Sequence, residues 1–201
     1  ACITPSFLEI ADVNNDKKPD VIISCTGIDF MINGTWTNDQ NSKQYVILSQ
    51  SNNHYILKEI QLPNPIYAHQ TAVADFNGDG NADIIYVDPI TNRIPFIAWG
   101  NGDGTFRQDL TRFPLDIFNK GIVGVTVIPV NGKLNVILSG SSIGTEPNNM
   151  ANGFGTRVFQ YNNGKFEQVA TFNVPKVNAT GYTYGLMLGA IYANGYYYGL
   201  H

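Results

Sequence analysis

Two nine-residue stretches, "DVNNDKKPD" at 12–20 and "DFNGDGNAD" at 75–83, carry Asp or Asn at the same first, third, fifth and ninth places, 63 residues apart. Each sits between short runs of apolar and β-branched residues: "FLEIA" at 7–11 and "VIISC" at 21–25 around the first, "TAVA" and "IIYV" around the second. Such runs on either side of a turn read as the two strands of a hairpin. A hairpin that recurs along a chain is a unit that cannot bury its apolar face alone and must stack on its neighbours.

Further strand-like segments follow each hairpin. "QYVILSQ" at 44–50 and "YILKEIQL" at 55–62 follow the first; "IPFIAWG" at 94–100 and "TFRQDLTRF" at 105–113 follow the second. Four short strands per unit is the rhythm of a propeller blade. The first unit is lengthened by "TGIDFMINGTWTNDQNSK" at 26–43, read as an insertion. A weaker third unit runs through "GVTVIPVNGKLNVILSG" at 124–140 and "RVFQYNNGKFEQVATF" at 157–172, with Asn135 standing where Asp83 stood. A fourth opens at "YGLMLGAIYANGYYYGLH". The expected fold is therefore all-β, a β-propeller of four-stranded antiparallel blades that is incomplete within this chain. Its blades are placed at 7–65, 70–116 and 122–175, with the start of a fourth at 183–201. The missing blades imply a partner, either a second copy or a remaining propeller segment.

Composition narrows the function. With 43% hydrophobic residues in 201, the chain can bury a core. Twelve basic against sixteen acidic residues, a net charge of -4, give no field that would hold a phosphate backbone, so nucleic acid is not expected. No run approaches the roughly 20 apolar residues that span a bilayer. Cys2 and Cys25 permit one bridge, which their spacing does not establish; a bridge would imply an oxidising compartment. The triplets Asn33-Gly34-Thr35 and Asn178-Ala179-Thr180 fit the glycosylation pattern at the frequency chance supplies.

Oxygen ligands spaced by two residues around a tight turn converge on one point, and Ca²⁺ takes six to eight oxygens in an irregular shell. The first loop offers Asp12, Asn14, Asp16 and Asp20 with the carbonyl of Lys18; the second offers Asp75, Asn77, Asp79 and Asp83 with the carbonyl of Asn81. Asp and Asn suit turns in any protein, but turn chemistry does not demand an Asp at the ninth place of both. An EF-hand is disfavoured, since it needs Glu at the twelfth place and flanking helices, whereas Ile23 and Tyr86 stand there inside strand-like runs. Magnesium, which demands a stricter octahedral shell, is the poorer choice.

"ADVNNDKKPDVIIS" and "ADFNGDGNADIIYV", with the trailing "GNGDGTF", resemble the FG-GAP or VCBS repeats of integrin-type β-propellers. The resemblance covers about 7–175 and is strongest in the first two units. It implies calcium held between the first two strands of a blade. In the third unit "PVNGKLN" is two residues shorter and lacks a carboxylate, as does "YANGYYY" in the fourth, so no metal is expected there. Repeats of this kind occur in lectins, adhesins, integrin heads and the scaffolds of polysaccharide lyases, and the fold alone does not choose among them.

Catalytic signatures are sparse. His54, His69 and His201 include no HExxH pair, there is no GxSxG elbow, and "GNGDG" at 100–104 lacks the Lys-Ser/Thr of a phosphate loop. His69 is better placed for a hydrogen bond between blades than for proton transfer. Tyr182, Tyr184, Tyr192, Tyr196, Tyr197 and Tyr198 crowd the end of the chain, and with Trp36 and Trp99 they offer either packing surface or a sugar platform. The expected function is a noncatalytic, calcium-stabilised binding or adhesion module, secreted or extracytoplasmic, for a glycan or protein ligand. The alternative is part of an extracellular polysaccharide lyase or hydrolase.

Overall fold

The computed structural model describes residues 2, 4–32, 35–39, 42–63, 66–88, 94–114, 122–140, 156–172, 189–193 and 196–200, with the strands at 28–39 and 189–200 described in backbone only. Three four-stranded antiparallel sheets carry the chain. The first comprises β1 (Pro5–Ala11), β2 (Asp20–Cys25), β5 (Gln44–Ser49) and β6 (Tyr55–Ile60) in that spatial order. Between β2 and β5 a separate hairpin, β3 (Ile28–Ile32) and β4 (Thr35–Asp39), stands out. The second sheet is a meander of β7 (Gln70–Ala74), β8 (Asp83–Asp88), β9 (Ile94–Gly100) and β10 (Phe106–Asp109). The third repeats it with β11 (Ile122–Val130), β12 (Lys133–Gly140), β13 (Thr156–Asn162) and β14 (Lys165–Phe172), and β15 (Gly189–Ala193) pairs with β16 (Tyr196–Leu200). Among the described residues no helix is long and apolar enough to cross a membrane.

Local chemistry explains the turns. Asn131-Gly132 and Asn163-Gly164 close β11–β12 and β13–β14 with both residues at positive φ, the demand of the two-residue turn that matches strand twist. Asn33-Gly34 in the insertion carries the same signal between the paired strands β3 and β4, although 33 and 34 themselves lie outside the described residues. The segment expected to be extended over 105–113 is strand only as far as Asp109. There the chain turns, because the Asp109 carboxylate accepts from Thr111 N at 3.0 Å and from Arg112 Nε at 2.8 Å.

The sheets pack through two apolar layers. Ile22, Val46, Leu48 and Ile60 of the first sheet meet Ile84, Tyr86, Phe96 and Ala98 of the second. The opposite side of the second sheet, with Ile85, Val87, Ile97 and Trp99, meets Val136, Leu138, Phe159 and Phe166 of the third. In each sheet the first strand lies nearest its neighbours, β1 beside β7, β7 beside β11, and β11 beside β15. Hydrogen bonds fix this stacking. Ser6 Oγ donates to Ala68 O at 2.7 Å, the hydroxyls of Ser24 and Thr71 pair, and Val125 N donates to Gln70 Oε1 at 3.1 Å. His69 Nδ1 donates to Val123 O at 2.7 Å, so this histidine is a tie between sheets. Cys2 and Cys25 are joined in a disulfide, with Cα atoms 5.4 Å apart, which fastens the N-terminal segment to the end of β2.

Asp109 anchors the outer corner of the second sheet. It accepts from Trp99 Nε1 at 3.3 Å, and its partner Arg112 reaches the third sheet by donating through Nη1 to Gly164 O at 2.8 Å. Burial alone would raise its carboxyl, but the donors of Thr111, Arg112 and Trp99 outweigh that and hold it at about 2. A depressed carboxyl stabilises the folded chain above its ordinary value of about 3.9, and the contribution disappears as the pH falls toward the folded value. Asp109→Asn should therefore lower the melting temperature at pH 7, with the gap to the parent closing between about pH 4 and pH 2. Calorimetry across that range checks it, and a gap unchanged at pH 2 contradicts the assignment.

Candidate functional site

The two polar loops connect β1 to β2 and β7 to β8, and they share one construction. The ninth residue is the first of the returning strand and is buried in both copies. Asp20 accepts from Val13 N at 3.0 Å through Oδ2 and from Ser49 N at 2.8 Å through Oδ1. Asp83 accepts from Phe76 N at 3.0 Å and from Gly100 N at 2.9 Å through the same two oxygens. One carboxylate thus closes its own loop and ties it to the third strand. The second residue of each loop, Val13 or Phe76, is driven into the core and brings that N–H with it.

The first, third and fifth residues surround the turn above. Asp12 Oδ1 and Asn14 Oδ1 both accept from Asp16 N, at 3.1 and 3.2 Å; Asp75 Oδ1 and Asn77 Oδ1 both accept from Asp79 N, at 3.1 and 2.8 Å. The second oxygen of Asp12 takes Lys17 N at 2.7 Å and that of Asp75 takes Gly80 N at 2.9 Å. Asp16 and Asp79 accept from the N–H of Lys18 and Asn81, at 2.9 and 2.8 Å, so the seventh residue of each loop is held by the fifth. The structure therefore gathers positions one, three and five at one turn and sets position nine beneath it.

The loops differ in charge balance. Lys18 Nζ stands 3.6 Å from Asp16 Oδ2 in the first, whereas Asp79 Oδ2 of the second accepts only the Asn77 amide, at 3.0 Å. Burial pushes the Asp83 carboxyl up to about 6; the N–H groups of Gly100 and Phe76 hold it back, and the charges of Asp79 and Asp75 push it further up. Among the described residues no three Asp, Glu, His or Cys side chains form a group arranged to hold a metal ion. Asn supplies one of the three upper oxygens in each loop, and the ninth Asp is turned toward backbone donors.

Two contacts that the spacing did not disclose join the loops to each other. Asn15 Nδ2 donates to Asn81 Oδ1 at 2.8 Å, and Gly104 N of the β9–β10 turn donates to Val13 O at 3.0 Å. Gly102 is required beneath that pair, since a Cβ there would lie 2.3 Å from Asn81 Oδ1. The glycines of "GNGDG" were the available signal: they serve this close approach.

A sequence profile for the FG-GAP-like repeat matches residues 12–86. The likeness is to a single repeat of that kind. The match runs from the first residue of the first loop into β8, and so includes both polar loops. No curated protein matches the chain. Trp99 is not a sugar platform, because it is buried against Tyr161, their ring centroids 5.3 Å apart. Tyr182, Tyr184 and His201 lie outside the described residues, as do the side chains of Trp36, Tyr192 and 196–198.

Both loops need left-handed backbone at their fourth and sixth places. The second uses Gly78 (φ 78°) and Gly80 (φ 89°), and the first uses Asn15 (φ 59°) and Lys17 (φ 67°). Asn tolerates that region, but Lys pays for its Cβ by about 1 kcal/mol. Lys17→Gly should raise the unfolding free energy by about 0.5–1 kcal/mol after the entropy that glycine adds to the unfolded chain. A loss of stability in urea titration would contradict the loop geometry.

Proposed function

We propose that the chain is a noncatalytic, calcium-stabilised binding or adhesion module, secreted or extracytoplasmic, whose three sheets are blades of a β-propeller and whose β15–β16 hairpin opens a fourth. The observation that carries this reading is the identity of the two loops in spacing, backbone conformation and hydrogen bonding, within a stretch that resembles the FG-GAP-like repeat.

The donor sets fit a hard dication. They are oxygen only, they bring three carboxylates per loop, and an oxygen that accepts one N–H retains a further lone pair; Asp75 Oδ1, which accepts from both Gly78 N and Asp79 N, leaves Oδ2 as that residue's freer donor. Asp12, Asn14, Asp16, the Lys18 carbonyl and Asp20 would hold the first ion, and Asp75, Asn77, Asp79, the Asn81 carbonyl and Asp83 the second. Calcium would offset the carboxylate charge of each turn, only partly met by Lys18 in the first, and would couple its binding energy to folding. The hairpins of the third and fourth units have neither the length nor the carboxylates. The Cys2–Cys25 disulfide supports an oxidising compartment. Surface loops on a rigid stacked scaffold suit recognition of a glycan or protein.

Calorimetric titration of chelator-treated protein should find two calcium sites, with Asp16→Ala and Asp79→Ala each removing one and saturation raising the melting temperature. The second loop should bind more tightly, because the Lys18 ammonium opposes a dication in the first; Lys18→Gln should tighten that site by up to about thirtyfold, the worth of about 2 kcal/mol for a unit charge about 4 Å from a dication in water. A folded protein that takes up no calcium would refute the reading.

A further inference from the structure

The first strands of the three sheets, β1, β7 and β11, together line a cavity of about 300 Å³ that opens to solvent. The internal repeat accounts for its lining. Ile22, Ile85 and Ile137 each stand two residues after the ninth place of their unit, at Asp20, Asp83 and Asn135, and all three are buried. Cross-strand register sets Glu9 opposite Ile22, Ala72 opposite Ile85 and Thr126 opposite Ile137. Glu9, Ala72 and Thr126 are therefore one position of the repeat met three times, and all three border the cavity. The chain fills that position with a carboxyl, a methyl group and a hydroxyl.

Glu9 is the anomaly among the three. It is half-buried on the face that its cross-strand neighbour Ile22 turns into the core, and it has no hydrogen bond or ion pair among the described residues. Burial pushes its carboxyl up, and no neighbouring charge or donor counters the burial. An ionisable group held partly out of water without a partner costs stability, and one that faces a cavity is placed to take its partner from solution. The other polar groups there are neutral. Gln70 Oε1 is taken by Val125 N at 3.1 Å, which leaves the amide hydrogens of Gln70 and the hydroxyl of Thr126 unpaired among the described residues. Phe7, Val125 and Val127 make the wall apolar. We infer that this cavity binds a small organic ammonium, its charged head on the Glu9 carboxylate and its hydrocarbon body against Phe7 and the valines. A hard dication is ill suited, since it takes six or more oxygens and the cavity has one carboxylate among neutral groups and apolar walls. An uncharged ligand would leave the carboxylate uncompensated, and an anion would be repelled by it. The volume lies at the lower end of small-molecule sites, which sets the size of the ligand. None of these residues belongs to either polar loop, so the site is independent of the calcium reading.

The probe is n-butylammonium chloride, titrated into the ¹⁵N-labelled chain in calcium-containing buffer at constant ionic strength and about pH 8, where the carboxyl is ionised. Amide shifts should saturate with a dissociation constant on the order of 1 mM, fitting for so small a ligand, and should be largest at Glu9, Ala72 and Thr126. n-Butanol and butyrate, which keep the hydrocarbon and lose the positive charge, should bind at least about tenfold more weakly. Glu9→Gln keeps the shape and removes the charge. It should weaken butylammonium by about tenfold or more while the melting temperature holds or rises, because an uncompensated carboxylate has been removed. The absence of saturable shifts in the wild type, shifts centred away from the first strands, or butanol or butyrate binding as well as butylammonium would overturn the assignment. So would a Glu9→Gln variant that binds like the parent, or one whose melting temperature falls, since a fall would mean that Glu9 already has a partner within the fold.

Discussion

A buried carboxylate at the start of a returning strand organises everything around it. Removing Asp20 or Asp83 from water is costly, and the cost is offset only because each oxygen meets a fixed backbone N–H, one from its own loop and one from the third strand. That arrangement makes hairpin and third strand a single body. It also explains why Gly100 must be glycine: the strand comes so close that a Cβ there would lie 2.2 Å from Ala82 O. In the first sheet Ser49 takes the same place and turns the approach into a bond, its Oγ donating to Pro19 O at 2.5 Å.

With the loops fixed from below, the sheets stack from their faces. Each of the two apolar layers combines one sheet's later side with the next sheet's earlier side, and the ties from Ser6, His69 and Gln70 lie near the first strands, where the sheets converge. The fully buried Tyr86, stacked on Phe96 with centroids 5.3 Å apart, shows how far this packing takes precedence: its hydroxyl has no partner among the described residues, and burial pushes its pKa up, keeping it neutral. A structure that tolerates such a group relies on apolar area more than on polar pairing.

Much of this was legible in the residues. The 63-residue offset between Asp12 and Asp75 locates the equivalent hairpins, and short apolar and β-branched runs beside turn residues locate the strands of all three sheets, because both signals are local in the chain. The segment at 26–43 reads as an insertion because it has no counterpart in the second unit, and the Asn33-Gly34 step between its extended runs is a hairpin signal that the length of the segment masks. Within the site, spacing grouped the first, third, fifth and ninth residues without separating their depths. That separation depends on partners distant in sequence, Ser49 and Gly100, which no local pattern specifies.

The contact between the loops lies beyond local reading for the same reason, and it shapes how the two behave as a unit. Asn15 holds a left-handed place in the first loop, and Asn81 is the seventh residue of the second; their side chains meet only because the sheets stack with the loops at the same end. A glycine at 102 leaves room for that meeting, and Gly104 brings the turn of the second sheet onto Val13 of the first. Val13 N in turn donates to Asp20, so a backbone displacement in the β9–β10 turn reaches the buried carboxylate of the neighbouring sheet through two hydrogen bonds. The loops are therefore parts of one surface whose geometry is set by sheet stacking.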